Sequence, residues 1–188
     1  RTKFALANWD GLGEERKNLE TRRLNVTALK RIGETWDFDR VVLSSVVPAK
    51  SKLIRQHFGD RLLEIRHDLK LGIDLDYPEL ETIGAERLVN AVAALALVDE
   101  APTIAVDFGT AVTFDVISAD RKFIGGVIAP GLSVMTDYMH ERTALLPKID
   151  IEEPMEPIGK STKGAMLAGA VIGYRGMIYR CRPSRLDP

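Results

Sequence analysis

With 188 residues, 45% of them hydrophobic and 28% charged, the chain has enough apolar material to bury a core in one or two domains. A net charge of -1 and a pI near 6.4 give no electrostatic footing for nucleic acid or for a membrane surface. No apolar run has the length of a membrane span, no signal-peptide pattern stands at the start, and the single cysteine, Cys181, excludes an internal disulfide framework and fits a reducing cytoplasm.

In chain order, residues 2–9 predict a strand and 10–15, with two glycines, its turn, while 18–24 fits either an exposed strand or an irregular segment. The mixed charges over 14–23 are a solvated face. Val26, Leu29 and Ile32 give 26–33 helical spacing. The run 40–47, RVVLSSVV, predicts a buried strand of parallel type, and Pro48 then opens a helix over 49–58. A strand at 62–65, an extended run at 71–77 ending at Pro78, and a buried helix at 86–97 follow. This alternation predicts an α/β layer with mostly parallel strands, and a new meander at Thr103 predicts a second lobe.

The informative stretch is 104–131, IAVDFGTAVTFDVISADRKFIGGVIAPG, with strands at 104–106 and 113–117 and a third after the turn at 118–121. Asp107 stands at the mouth of the first turn with Gly109 and Thr110. Turn N–H groups and a hydroxyl suit phosphate oxygens, and a carboxylate beside them can hold a cation that offsets phosphate charge. The plainer alternative is a hairpin whose Asp and Thr cap turns. Residues 1–6 repeat 111–116 faintly, with Phe4 on Phe114 and Leu6 on Val116, so a duplicated unit would have its first phosphate turn just before Arg1. Two such hairpins across a cleft are the plan of actin-like ATPases and sugar kinases.

The glycines at 125–131 suit a close ligand or a close backbone crossing, and lead into a helix over 132–143. Residues 145–157, rich in prolines and acids, are a surface connection, and Ser161 starts a helix over 162–179 with small residues on one side. Residues 180–188 carry no apolar pattern. Other motifs fail on context. Gly159-Lys160-Ser161-Thr162 lacks the earlier glycine of a Walker A loop, since Pro154 stands there, and Asp107-Phe108-Gly109 lacks the rest of the protein-kinase set. His57, His67 and His140 are not spaced as metal ligands.

Taken together, Tyr77-Pro78, Gly84-Ala85-Glu86-Arg87-Leu88-Val89-Asn90, Asp107-Phe108-Gly109-Thr110, the 125–131 glycine run and Glu141-Arg142-Thr143-Ala144-Leu145-Leu146-Pro147 resemble the type III pantothenate kinases in order and spacing. The resemblance covers residues 1 to about 179. It implies an α/β fold of duplicated actin-like (ribonuclease H-like) lobes with mixed sheets flanked by helices, divided at 1–101 and 102–188. It implies a cytoplasmic homodimer that phosphorylates pantothenate with ATP and Mg²⁺, aided by K⁺ or NH₄⁺, at the first step of coenzyme A synthesis. Neither nucleic acid nor membrane is an expected partner.

Residue by residue, the resemblance makes Glu86 the acceptor of the substrate hydroxyl proton, where the family has aspartate. Gly84, Ala85 and Arg87 complete that substrate turn, and Tyr77 and Thr162 add substrate contacts. Asp107 matches the monovalent-cation ligand, Thr110 an ATP contact and Lys3 the end of the first phosphate loop. The family pattern further predicts an Asp-x-Gly-Asn-Thr loop ahead of Arg1 and more strands after the last residue, so the chain is expected to be part of a longer protein. Elementary chemistry agrees with two of these roles. A carboxylate in the first turn of a helix interacts favourably with the dipole and can accept a proton, and a guanidinium such as Arg87 pairs with a carboxylate through two bonds. The bland alternative makes Glu86 and Arg87 an ordinary first turn with neighbouring charges. A non-catalytic regulator on the same scaffold is the competing class, favoured by the Glu86 exchange.

Overall fold

The computed structural model describes residues 1–98 and 101–181; the expectation for 182–188 lies outside the described residues. Packing groups the chain into two compact units, Arg1–Leu69 with Gly84–Glu86, and Lys70–Ile83 with Arg87–Pro188. The lobe boundary expected at 101/102 falls inside the second grouping.

In the first unit, β1 (Thr2–Asn8) and β2 (Gly11–Leu19) form an antiparallel hairpin. The side chain of Asn8 accepts from the N–H groups of Asp10 and Gly11, and Gly11 takes a φ of +143°. The turn is therefore tighter than the 10–15 expected, and the charged run after it is a solvent-facing strand. The helix α1 (Val26–Thr35) begins at Asn25, whose side chain accepts from the N–H of Ala28 at 2.9 Å. β3 (Val41–Leu43), α2 (Pro48–Phe58) and β4 (Leu62–Glu64) follow, and β3 and β4 pair in parallel. Pro48 sits in the first turn of α2, where its missing N–H costs nothing. The core here is Leu24, Leu29 and Ile54, with Phe4, Leu43, Phe58 and Leu62 against it. Only three of the eight residues over 40–47 pair, and Val42 remains 65% exposed. A two-stranded sheet covered on one face leaves alternate side chains bare, which corrects the expectation of a strand buried on both sides.

The second unit is built on a four-stranded sheet in the order β5-β8-β7-β6, comprising β5 (Asp74–Leu75), β6 (Thr103–Phe108), β7 (Ala111–Ile117) and β8 (Lys122–Pro130). β5 pairs in parallel with β8, and the β6-β7-β8 meander is antiparallel. The helix α3 (Ala85–Val98) precedes β6, and α4 (Leu132–Arg142) follows β8. The final helical stretch is α5 (Thr162–Leu167), one π-helical turn over Ala168–Ile172, and α6 (Gly173–Arg180). Ser161 caps α5 by accepting from Gly164 N–H at 3.0 Å, so the Walker-like residues there serve as a helix start.

Side chains alternate across a strand, and β7 is closed in on both faces. Val112 and Phe114 point into a core with Tyr174, Met135 and Met177, and the Tyr174 hydroxyl donates to the carbonyl of Pro130. Thr113, Asp115 and Ile117 occupy the other face. A bulge in β8 at Ile124 shifts the register between Val116–Gly125 and Ile117–Phe123, and Gly125 has φ +112°. Gly126 lies so close to β7 that an added Cβ would stand 1.7 Å from the carbonyl oxygen of Phe114.

These packing facts separate two glycines. Gly126→Ala must push β8 off β7 and lowers stability by about 3 kcal/mol. Gly33→Ala, in α1 with open space around its Cβ position, raises it by about 0.5–1 kcal/mol. Urea unfolding midpoints of the two variants measure both signs.

Candidate active site

The turn between β6 and β7 is built by close backbone contacts. Gly109 N–H donates to the carbonyl of Ala111 at 2.9 Å, and Gly131 N–H donates to the carbonyl of Thr110 at 2.8 Å. A Cβ on Gly131 would meet the carbonyl oxygen of Gly109 at 2.2 Å, so only glycine lets the start of α4 reach this turn. Gly131 is the N-cap of α4, an eleven-residue helix, and the first N–H groups of a helix are donors without intrahelical partners. A glycine turn, an exposed hydroxyl at Thr110 and a helix start thus adjoin, which is the chemistry that accepts phosphate oxygens. Asp107, exposed and in register with Thr113, supplies the carboxylate at its edge. Among the described residues no three His, Cys, Asp or Glu side chains converge as a metal cage. Asp107 would be the carboxylate available to a cation at this turn.

The same sheet face carries a buried ion pair. Arg87, in the first turn of α3, donates from Nε to Oδ1 of Asp115 at 2.6 Å. The two side chains are 13% and 0% exposed. Burial holds the Asp115 carboxyl above its ordinary range, outweighing the Arg87 hydrogen bond and charge and the Asn90 amide, which favour the carboxylate; the Asp107 charge adds to the rise. Arg87 Cζ lies 5.2 Å from the centre of the Phe123 ring, and the Tyr77 ring is tilted against Phe123 at 6.1 Å. Gly125 and Gly126 make room for both: a Cβ would approach Tyr77 Cε2 to 3.3 Å at the first and Arg87 Nη2 to 2.9 Å at the second. Three buried polar atoms here, Arg87 Nη2, Thr113 Oγ1 and Asp115 Oδ2, have no well-formed hydrogen bond among the described residues.

Of the residues singled out in the sequence, Tyr77 and Arg87 meet around Phe123, while Asp107 and Thr110 lie at the β6–β7 turn of the same unit. Glu86 is exposed in the first turn of α3 and, with Gly84 and Ala85, packs with the first unit. Ala85 is buried, and a Cβ at Gly84 would lie 3.9 Å from Val46 Cγ1. Lys3 is exposed on β1 opposite Asn18, and Thr162 is exposed as the first residue of α5. The sequence reading missed Asp115, Phe123 and Thr113. A visible signal existed for Asp115, because a charged residue inside the apolar strand VTFDVI is nearly always paired.

The raised Asp115 carboxyl has a defined pH signature. In the unfolded chain it titrates near 3.8, and in the fold above that, so between the two values the folded form holds the extra proton. Its contribution is complete below the unfolded value and is lost as pH rises through the folded one. Asp115→Asn should therefore gain stability relative to the native chain as pH rises from about 4 to 7, read as the difference in urea midpoints between the two proteins.

The family model for type III pantothenate kinase matches residues 2–182. A type III pantothenate kinase of Methylacidiphilum infernorum is 45% identical over 162 residues, covering 86% of this chain and 59% of that protein. One of Akkermansia muciniphila is 44% identical over 178 residues, covering 95% and 73%. The chain thus spans about three fifths of the first relative's length and about three quarters of the second's. A solved structure described as a conserved putative Baf family transcriptional activator from Campylobacter jejuni superposes with a TM-score of 0.59 over 89% of this chain and 72% of its own, at 16% identity, which bears on the fold alone. With the signature residues at one end of α3 and at the β6–β7 turn, and with the match running through nearly the whole sequence, the chain belongs to the type III pantothenate kinase family.

Proposed function

We propose that this protein transfers the γ-phosphoryl group of ATP to the hydroxyl of pantothenate, the first step of coenzyme A biosynthesis. The observation that carries the reading is the meeting of Tyr77 and Arg87 over Phe123, in a family member whose β6–β7 turn abuts a helix start. Arg87 binds the substrate carboxylate, and Tyr77, Gly84, Ala85 and Thr162 complete the substrate contacts. Glu86 accepts the hydroxyl proton, so that the oxygen can attack phosphorus. Thr110 and Lys3 are ATP contacts, and Asp107 holds a monovalent cation, K⁺ or NH₄⁺. Mg²⁺, bound with ATP, supplies charge neutralisation on the phosphates. The turn fits such groups, because the start of α4 reaches the Gly109–Thr110 backbone there and so lies beside the exposed Thr110. The working protein is a cytoplasmic homodimer of duplicated lobes divided near 101/102, with no nucleic-acid or membrane partner; no helix among the described residues is long and apolar enough to cross a membrane.

One residue favours a second reading. Glu86 stands where the family has aspartate, and an added methylene displaces a base by about 1 Å, enough to cost on the order of a hundredfold in rate. A non-catalytic regulator on the same scaffold would tolerate that displacement. ADP release by the full-length protein with pantothenate, ATP, Mg²⁺ and K⁺ separates the two. Under the kinase reading, Glu86→Gln lowers kcat by about 10²–10⁴-fold and Glu86→Asp retains turnover. ATP binding without any ADP release in the native protein sinks the kinase reading.

A further inference from the structure

We infer that Asp115 is a positioning residue for Arg87: it fixes the guanidinium by Nε and thereby sets the direction in which the remaining N–H groups meet an anionic group of the substrate. The inference rests on the assignment of Arg87 to the substrate carboxylate and adds to it a residue that does not itself touch substrate.

Three observations bear on it. First, the pair is made through one bond, Nε to Oδ1 at 2.6 Å, although a guanidinium and a carboxylate can join through two. Nη2 and Oδ2 stay buried without a well-formed hydrogen bond among the described residues, as does Thr113 Oγ1 on the same face of β7. A pair selected for stability alone would close its fork, since each buried unpaired polar atom is costly. Second, the guanidinium is fixed on its other sides too. Phe123, fully buried, lies 5.2 Å beneath Cζ, and Gly126 leaves space where a Cβ would come within 2.9 Å of Nη2. Third, the same Phe123 ring supports Tyr77, whose ring fits against Gly125 at the β8 bulge. Two groups assigned to substrate therefore take their orientation from one strand pair, and Asp115 is the polar member that holds Arg87 in it. Asp107 and Asn90 are the other polar groups that act on Asp115, the first through its charge and the second through its side-chain amide.

The test uses the full-length protein, with calorimetric binding of pantothenate and of the analogue whose carboxylate is replaced by hydroxymethyl, alongside kcat and KM from ADP release. The native protein should bind the acid more tightly than the alcohol. Asp115→Asn should bring that ratio close to one and raise KM for pantothenate by about 10- to 100-fold while kcat changes by less than about threefold. A folded Asp115→Asn protein that keeps the native ratio and KM overturns the inference, as does a native protein that binds acid and alcohol equally. Loss of the ratio in the variant with no ADP release by the native protein upholds the positioning role and sinks the kinase reading instead. Where Asp115→Asn does not fold, Arg87→Lys takes its place, since it keeps the charge but cannot be held through Nε; an unchanged ratio there overturns the inference.

Discussion

The ion pair between α3 and β7 is the constraint around which the second unit is arranged. A carboxylate with no solvent exposure is tolerated inside a protein only with a partner, and Arg87 is the partner that α3 delivers. Its presence explains neighbouring choices of residue. Phe123 offers a π face to the guanidinium, Gly126 keeps its own side clear, and Thr113 and Asp107 extend the polar row toward the β6–β7 turn. On the opposite face of β7, Val112 and Phe114 pack with Tyr174, Met135 and Met177. One strand thus carries an ordinary core on one side and a row of polar groups on the other.

The mixed sheets flanked by helices are consistent with the actin-like ATPase type of fold expected for this family. Within it, the β6–β7 turn depends on glycine for reasons of space. Gly131 lets α4 start against Gly109 and Thr110, and that contact brings a helix start and a tight turn to the same point. The first N–H groups of α4, which have no intrahelical partners, thereby lie beside the turn that carries Thr110.

Much of this was legible in the sequence because it depends on short-range chemistry. Asp107-Phe108-Gly109-Thr110 declares a turn between β-type runs, Asn25 and Ser161 declare helix starts, and Pro48 marks the first turn of α2. The paired glycines at 125 and 126 were open to two explanations, and a backbone crossing over Phe114 accounts for the second of them. The features that stayed hidden depend on partners distant in sequence. Nothing local tells that Asp115 faces Arg87, twenty-eight positions away, or that RVVLSSVV pairs over only three residues and leaves Val42 bare. The charged strand β2 was hidden for a related reason: its place in the hairpin comes from backbone pairing with β1 and from the Asn8 turn, while its side chains obey no apolar alternation.

The π turn at Ala168–Ile172 has a consequence for how the last helix meets the rest of its unit. On an uninterrupted α-helix, Leu167 and Tyr174 are seven residues apart and would share a meridian. The wide turn absorbs one additional residue and rotates α6 by about 100° relative to α5. Met166 and Leu167 can then lie against Ile149, Met139 and Leu146, while Tyr174 and Met177 lie against the sheet. Straightening this loosened coil into a regular α-helix with no residue removed would realign the two halves on one wheel, and Tyr174 could no longer serve its acceptor on Pro130 while Leu167 kept its own neighbours.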